Sequence, residues 1–253
     1  MRIKDSVALV TGANGGIGRQ FVDALRTAEV AKIYVCARNP EKVATLVSLD
    51  PDKIVAIQLD VTDEQSVNSA AQQCKDVNLL INNAGTSLNQ GTIAAPNLDA
   101  ARAEMEVNYF GMLSMCRAFA PILKKNGGGA IVNMVSLLAR AHLPFSGTYS
   151  ASKAATLSMT QGVRAELTSQ GTLVIAVMPG TVDTDLAKDW PEPKVSPAEV
   201  AKVALQAVLD EVEDVYPGQQ ATEVAAQLLL DPKGVEKYMA SFLPGASLAE
   251  TQA

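Results

Sequence analysis

Short runs that are apolar at every position alternate with longer amphipathic stretches through the first half of the chain. Val7-Ala8-Leu9-Val10, Ile33-Tyr34-Val35-Cys36, Ile54 to Leu59 and Leu79-Leu80-Ile81 read as strands; Ile17 to Ala28, Glu41 to Leu49 and Glu64 to Cys74 read as helices between them. Strands that do not alternate polar with apolar residues are buried on both faces, as in a parallel sheet covered by helices on each side. The second half keeps the rhythm. Helices over Leu98 to Lys125, in two pieces, and Tyr149 to Ser169 surround strands Ala130 to Val135 and Leu173 to Val177. A last helical pattern runs from Ala221 to Leu230 and on to Phe242. The pattern predicts a single α/β domain over residues 1–253 with a doubly wound parallel sheet. Pro191, Pro193 and Pro197, close after Trp190, predict a mobile segment at about 183–197, and residues 246–253 read as a frayed tail.

Composition narrows the chemistry. The 253 residues are 48% hydrophobic but only 4% aromatic, so the core is built from aliphatic side chains. Lys and Arg number 21 against 27 Asp and Glu, a net charge of −6 that argues against a nucleic-acid partner. No run approaches the ~20 apolar residues of a membrane span, and the N-terminus enters a strand without a secretory apolar region, so a soluble, cytoplasmic protein is expected. Cys36, Cys74 and Cys116 form no C-x-x-C pair, and the one histidine, His142, excludes H-E-x-x-H, so no metal is expected.

Thr11-Gly12-Ala13-Asn14-Gly15-Gly16-Ile17-Gly18 follows the first strand and opens the first helix. Gly12 and Gly16 permit backbone geometry closed to larger residues, Gly18 lets helix and strand pack closely, and the helix N-terminus offers free N–H groups to a diphosphate. This makes the fold Rossmann-type. About 20 positions beyond the glycines, where an acidic residue would bind a ribose hydroxyl, stands Arg38. A guanidinium there suits a 2′-phosphate and favours NADP(H) over NAD(H); the alternative is a surface arginine paired with Glu41. Asp60 fits two readings equally, an acceptor for the adenine amino group or a turn residue, before a helix start capped by Thr62 with Gln65 answering.

Tyr149-Ser150-Ala151-Ser152-Lys153 puts a phenol and an ammonium one helical turn apart, an arrangement expected to lower the tyrosine pKa and make a proton donor. Ser136 ends a buried strand, where open α/β sheets bind ligands, and can polarise a carbonyl. Asn82-Asn83-Ala84-Gly85 ends another strand in small and polar residues suited to close approach of a cofactor. Asn108 is an amide inside an apolar helix; its plain structural reading is a hydrogen bond to nearby backbone.

Taken in order, the T-G-x-x-x-G-x-G loop at Thr11 to Gly18, Asp60-Val61, N-N-A-G at Asn82 to Gly85, Asn108, Ser136, Y-x-x-x-K at Tyr149 to Lys153 and P-G-x-V-x-T at Pro179 to Thr184 resemble the short-chain dehydrogenase/reductase family, in its subgroup of roughly 250 residues. The resemblance covers nearly the whole chain. It implies that Tyr149 exchanges a proton with the substrate oxygen, that Ser136 hydrogen-bonds that oxygen, that Lys153 holds the nicotinamide ribose and that Asn108 fixes a water in a proton relay. It further implies that Asn14, Gly15, Ile17, Val61, Asn83, Ala84 and Gly85 lie along the cofactor. Val182 and Thr184 would contact its nicotinamide end, where Pro179-Gly180 turns the chain. The tyrosine–lysine spacing is similar to that of the family's carbonyl and alcohol enzymes. A homo-oligomer, dimer or tetramer, is implied too, although the D-G-G-like ending common in such chains is replaced by Val215-Tyr216-Pro217-Gly218.

The mainly apolar loop between Ser136 and Tyr149 predicts the substrate side, with Leu138, His142 and Phe145 as candidate contacts and Leu186 and Trp190 as a lid. For His142 a surface position is the competing reading. An NADP-dependent carbonyl reductase or alcohol dehydrogenase is therefore expected; the alternative is a dinucleotide-binding redox sensor without turnover.

Overall fold

The computed structural model describes residues 2–244, so the expected frayed tail at 246–253 lies outside the described residues. Strands β1 (Val7–Thr11), β2 (Lys32–Ala37), β3 (Ile54–Gln58), β4 (Leu79–Asn82), β5 (Gly129–Met134), β6 (Thr172–Val177) and β7 (Asp214–Val215) form one parallel sheet in the order β3-β2-β1-β4-β5-β6-β7. The order reverses between β1 and β4, and at such a switch point the carboxyl ends of the strands open a crevice.

Side-chain alternation divides the core in two. Ala8 and Val10 of β1, with Leu79 and Ile81 of β4, face helices α1 (Gly16–Thr27) and α7 (Pro197–Asp210), packing on Phe21, Leu25, Ala204 and Val208. Leu9 and Leu80 point the other way, into a cluster with Val67 of α3 (Glu64–Gln73) and Met115 and Phe119 of α5 (Met112–Lys125). Both faces are thus dry, which is why the strands read as unbroken apolar runs.

Several helices differ from their sequence patterns. Glu41 to Leu49 yields only a 3₁₀ turn, Pro40–Val43, and the four-residue α2 (Ala44–Val47). Leu98 to Lys125 is α4 (Asp99–Met105), a wide π-helical turn (Glu106–Gly111) and α5 without a break. The cap of α3 is Asp63, whose carboxylate accepts from the Gln65 N–H at 2.9 Å, not Thr62, which is itself held by Asp60. Helix α6 (Gly147–Leu167) carries the Tyr149–Lys153 pair near its start. The terminal pattern divides at Asp231-Pro232 into α8 (Gln219–Leu230) and α9 (Pro232–Met239), because Pro232 cannot continue a helix and Asp231 caps the next one at Gly234 N, 2.8 Å. The segment 183–197 is pinned at its base by a parallel bridge between Val182 and Val195, both in the core.

Candidate active site

A cavity of about 1480 Å³ opens at the carboxyl ends of the strands, more than the ~300–1,000 Å³ of a site for one drug-sized ligand. Its floor at β1 is a cradle that side chains would fill. Gly12 (φ +61°) and Gly16 (φ +47°) hold left-handed backbone, a Cβ at Gly16 would press on Thr184 Cγ2 at 3.1 Å, and nothing lies within 4 Å of where a Cβ of Gly15 would be. The first turn of α1 has no acidic residue and its N-cap, Gly15, has no capping side chain, leaving the N–H groups for an anion. These residues fit the diphosphate of a dinucleotide. Asn14 and Ile17 line the cavity with them. Gly18 does not: a Cβ there would collide with the Gly12 carbonyl oxygen, so it serves the packing of loop on helix rather than a ligand.

The end of β4 is stitched to this cradle. The Asn83 amide donates to the carbonyls of Thr11 and Gly12 at 3.0 and 3.1 Å, and Thr11 Oγ1 accepts from the N–H groups of Asn83 and Ala84, both at 2.9 Å. Thr11 thus takes a role that the sequence reading missed. Asn83, Ala84 and Gly85 line the cavity, as do Pro179, Gly180, Val182 and Thr184 opposite. At the far end of the cradle Arg38 is exposed on the wall, and among the described residues its guanidinium makes no hydrogen bond or salt bridge; Glu41 turns instead to Asn39. Asp60 and Val61 line the wall beside it. The Asp60 carboxylate accepts from Thr62 N and Oγ1 at 3.0 and 2.7 Å, bonds that hold its pKa below the usual range, aided by Arg38. Asp60 is thus tied into the turn while its residue still lines the cavity.

Ser136, Tyr149 and Lys153 meet on the same wall. Ser136 Oγ accepts from Leu138 N at 3.1 Å, and Lys153 Nζ donates to the Met134 carbonyl at 2.8 Å and lies 5.6 Å from the centre of the Tyr149 ring. Lys153 is only 3% exposed, and burial brings it down to about 8. The same loss of hydration pushes Tyr149 up to about 12, with Ser136 pulling the other way and Glu104 adding to the rise. The expectation that the ammonium would lower the phenol's pKa is thus corrected for the protein alone, because burial disfavours both charged forms.

Asn108 does not line the cavity. It sits in the π-helical turn, fully buried, with its amide accepting from Thr86 N and donating to Thr86 O and Ser152 Oγ, each at 2.9 Å. The carbonyl of Asn108 accepts from Thr156 Oγ1 at 3.0 Å. The structural reading of its side chain is realised.

On the substrate side Leu138, Leu186 and Trp190 reach the cavity, whereas His142 and Phe145 do not. His142 is exposed on the surface side of the loop. Phe145 stands behind Trp190, edge to face at 5.9 Å between ring centres. The apolar wall comes instead from Leu143 and from α8 and α9, through Val224, Val235 and Met239, with Phe242 beyond. The i,i+4 pair Val235 and Met239 was the only signal for this in the sequence, and it says nothing of what the helix faces. Ser87, Leu88 and Asn89 line the cavity as well and were also missed.

Residues 6–195 match the model of the family described as short chain dehydrogenase. The short chain dehydrogenase mpl6 of Monascus purpureus is 36% identical over 195 residues, 72% of this chain and 67% of that protein. Among solved structures, a short chain dehydrogenase from Burkholderia cenocepacia in complex with NADP superimposes with a TM-score of 0.90 at 42% identity, covering 94% of this chain and 99% of the other. A short chain dehydrogenase/reductase from Burkholderia phymatum in complex with NAD shares the fold, with a TM-score of 0.80 at 22% identity over 92% and 96% of the two chains.

Proposed function

The chain belongs to the short chain dehydrogenase family, and from that premise we propose that it is an NADP-dependent oxidoreductase interconverting a ketone or aldehyde with the corresponding alcohol. The observation that carries this reading is the convergence of Ser136, Tyr149 and Lys153 on one wall of a cavity whose floor is a glycine cradle. When bound, the reduced dinucleotide supplies the hydride. Gly15, Gly16 and Ile17 hold its diphosphate on the N-terminus of α1, Asn83 to Gly85 and Thr184 border it, and Lys153 holds the nicotinamide ribose. Arg38, unpaired at the cradle's end, takes the 2′-phosphate; the complex of the Burkholderia cenocepacia relative with NADP supports this choice.

Ser136 holds the substrate oxygen by a hydrogen bond, and Tyr149 transfers its phenolic proton to that oxygen, as a phenol kept neutral by burial is suited to do. Asn108 takes part in the proton relay by holding a water; with its side-chain amide engaged by Thr86 and Ser152, its backbone carbonyl, which accepts from Thr156 Oγ1 at 3.0 Å, is the group that would do so. The apolar wall of Leu138, Leu143, Trp190, Val235 and Met239 receives a hydrophobic substituent of the carbonyl compound, and the 183–197 segment opens and closes over the bound ligands. The same reading makes the protein a cytoplasmic homo-oligomer joined through helices 108–125 and 149–169, which light scattering tests.

The deciding experiment follows NADPH absorbance with a panel of ketones for the protein and for Tyr149→Phe. A loss of turnover of roughly 10²–10⁴-fold with NADPH binding retained is expected; equal rates would overturn the assignment.

A further inference from the structure

The segment after β6, residues 179–184, lines the cavity opposite the end of β4. Hydrogen bonds tie it to the fold on three sides. The Pro179 carbonyl accepts from Leu137 N at 2.9 Å, beside Ser136. The Thr181 carbonyl accepts from Val195 N at 2.8 Å and Asp183 N donates to the Val195 carbonyl at 3.0 Å, at the far end of the 183–197 segment. The third tie comes from α8, where Gln220 Oε1 accepts from Thr181 N at 3.1 Å. The first two ties run from backbone to backbone and do not depend on side chains. Among the described residues, Gln220 is the one side chain outside the segment that bonds to it.

The approach is close as well as bonded. A Cβ on Gly180 would stand 2.6 Å from Gln220 Oε1 and 3.6 Å from Ala221 N, so the segment passes directly against the first turn of α8. Gly218, just before that turn, holds φ +89°, and a Cβ there would press on Val195 Cβ at 2.9 Å. The start of α8 thus meets both Thr181 and Val195, the two ends of the mobile segment's base. The neighbouring Gln219 is spent on Glu223, at 2.7 Å. A backbone N–H can only donate, which fixes the Gln220 carboxamide with its oxygen towards Thr181. Val224 and Gln227, four and seven positions further along, share that face of α8 and also line the cavity. One helix therefore carries part of the substrate wall and the anchor of the segment opposite.

Resting on the proposed reaction, we infer that Gln220 is a positioning residue, whose carboxamide oxygen holds the peptide between Gly180 and Thr181 and so sets the backbone that borders the nicotinamide end of the cofactor. Hydride transfer is steep in geometry: a misplacement of about 1 Å costs roughly 10²-fold in rate. Loosening residues 180–184 therefore lowers turnover more than it lowers ketone binding, because the substrate wall on α8 and the loop after β5 stays in place.

Two variants test this. Gln220→Met keeps the length of the side chain and removes the oxygen; Gln220→Glu keeps an oxygen in its place. Amide hydrogen exchange at Thr181, followed by NMR without dinucleotide, should quicken about fivefold in Gln220→Met and stay near the wild-type rate in Gln220→Glu. At saturating NADPH, kcat for ketone reduction should fall several-fold in Gln220→Met with a smaller change in the KM for ketone, and recover in Gln220→Glu. A merely structural bond would leave kcat at saturation unmoved. Unchanged exchange at Thr181 in Gln220→Met overturns the role of Gln220, as do quickened exchange with wild-type kcat and an equal loss of kcat in both variants. None of these results touches the reductase reading, which undiminished ketone reduction by Tyr149→Phe overturns instead; the exchange measurement needs no turnover and holds either way.

Discussion

Replacing Lys153 by Met should make the protein more stable and inactive at once. The ammonium is almost wholly buried and accepts this position with its pKa depressed from 10.5 to about 8. At ~1.4 kcal/mol per unit, the charged form costs the fold about 3 kcal/mol at neutral pH. Against this stands the bond from Nζ to the Met134 carbonyl, whose loss costs about 1 kcal/mol. The net gain for Lys153→Met is about 2 kcal/mol at pH 7, or roughly 4–8 °C in Tm for a chain of this size. The sign of the pH dependence follows from linkage. Because the folded pKa lies below the unfolded one, the unfolded chain binds the extra proton between about pH 8 and 10.5, and the wild-type protein regains stability as pH rises through that window. The advantage of the variant should therefore be full below pH 8 and gone by about pH 10.5. Thermal melts of both proteins at pH 7, 9 and 10.5, followed by circular dichroism without dinucleotide, measure it. A variant no more stable than the wild type at pH 7, or an advantage that does not shrink with pH, would refute the claim that burial of this ammonium strains the fold.

Two further outcomes test the ends of the cavity. Arg38→Asp should weaken NADP binding relative to NAD by roughly 10- to 100-fold, since a charge-assisted bond to the 2′-phosphate is replaced by repulsion; fluorescence titration with each dinucleotide reads the ratio, and an unchanged ratio removes Arg38 from cofactor choice. Trp190→Ala should raise the KM for bulky aromatic ketones several-fold while leaving kcat nearly unchanged, because it removes an apolar wall and its edge-to-face contact with Phe145 without touching Tyr149; steady-state kinetics on large and small ketones checks it, and equal changes for both sizes count against the pocket.

The parallel sheet was legible because a strand dry on both faces must be apolar at every position, as β1 and β4 are, and the glycine cradle because left-handed backbone at Gly12 and Gly16 excludes larger residues. The Tyr149–Lys153 pair was legible from helical spacing once Ser136 and the other ordered motifs around it were read together. These features are local: each is written in a few consecutive residues whose geometry needs no distant partner. What lay beyond the sequence depends on contacts between segments far apart along the chain. Leu143, Val235 and Met239 read as ordinary core positions until the fold brings α9 across the loop after β5, while His142 and Phe145, their neighbours in that loop, turn to the surface and to the back of Trp190. The same holds for charge. Spacing predicted an acidified phenol, but the sign of its shift is set by burial and by Glu104, on a different helix, and desolvation is a property of the packed interior that no run of residues carries by itself.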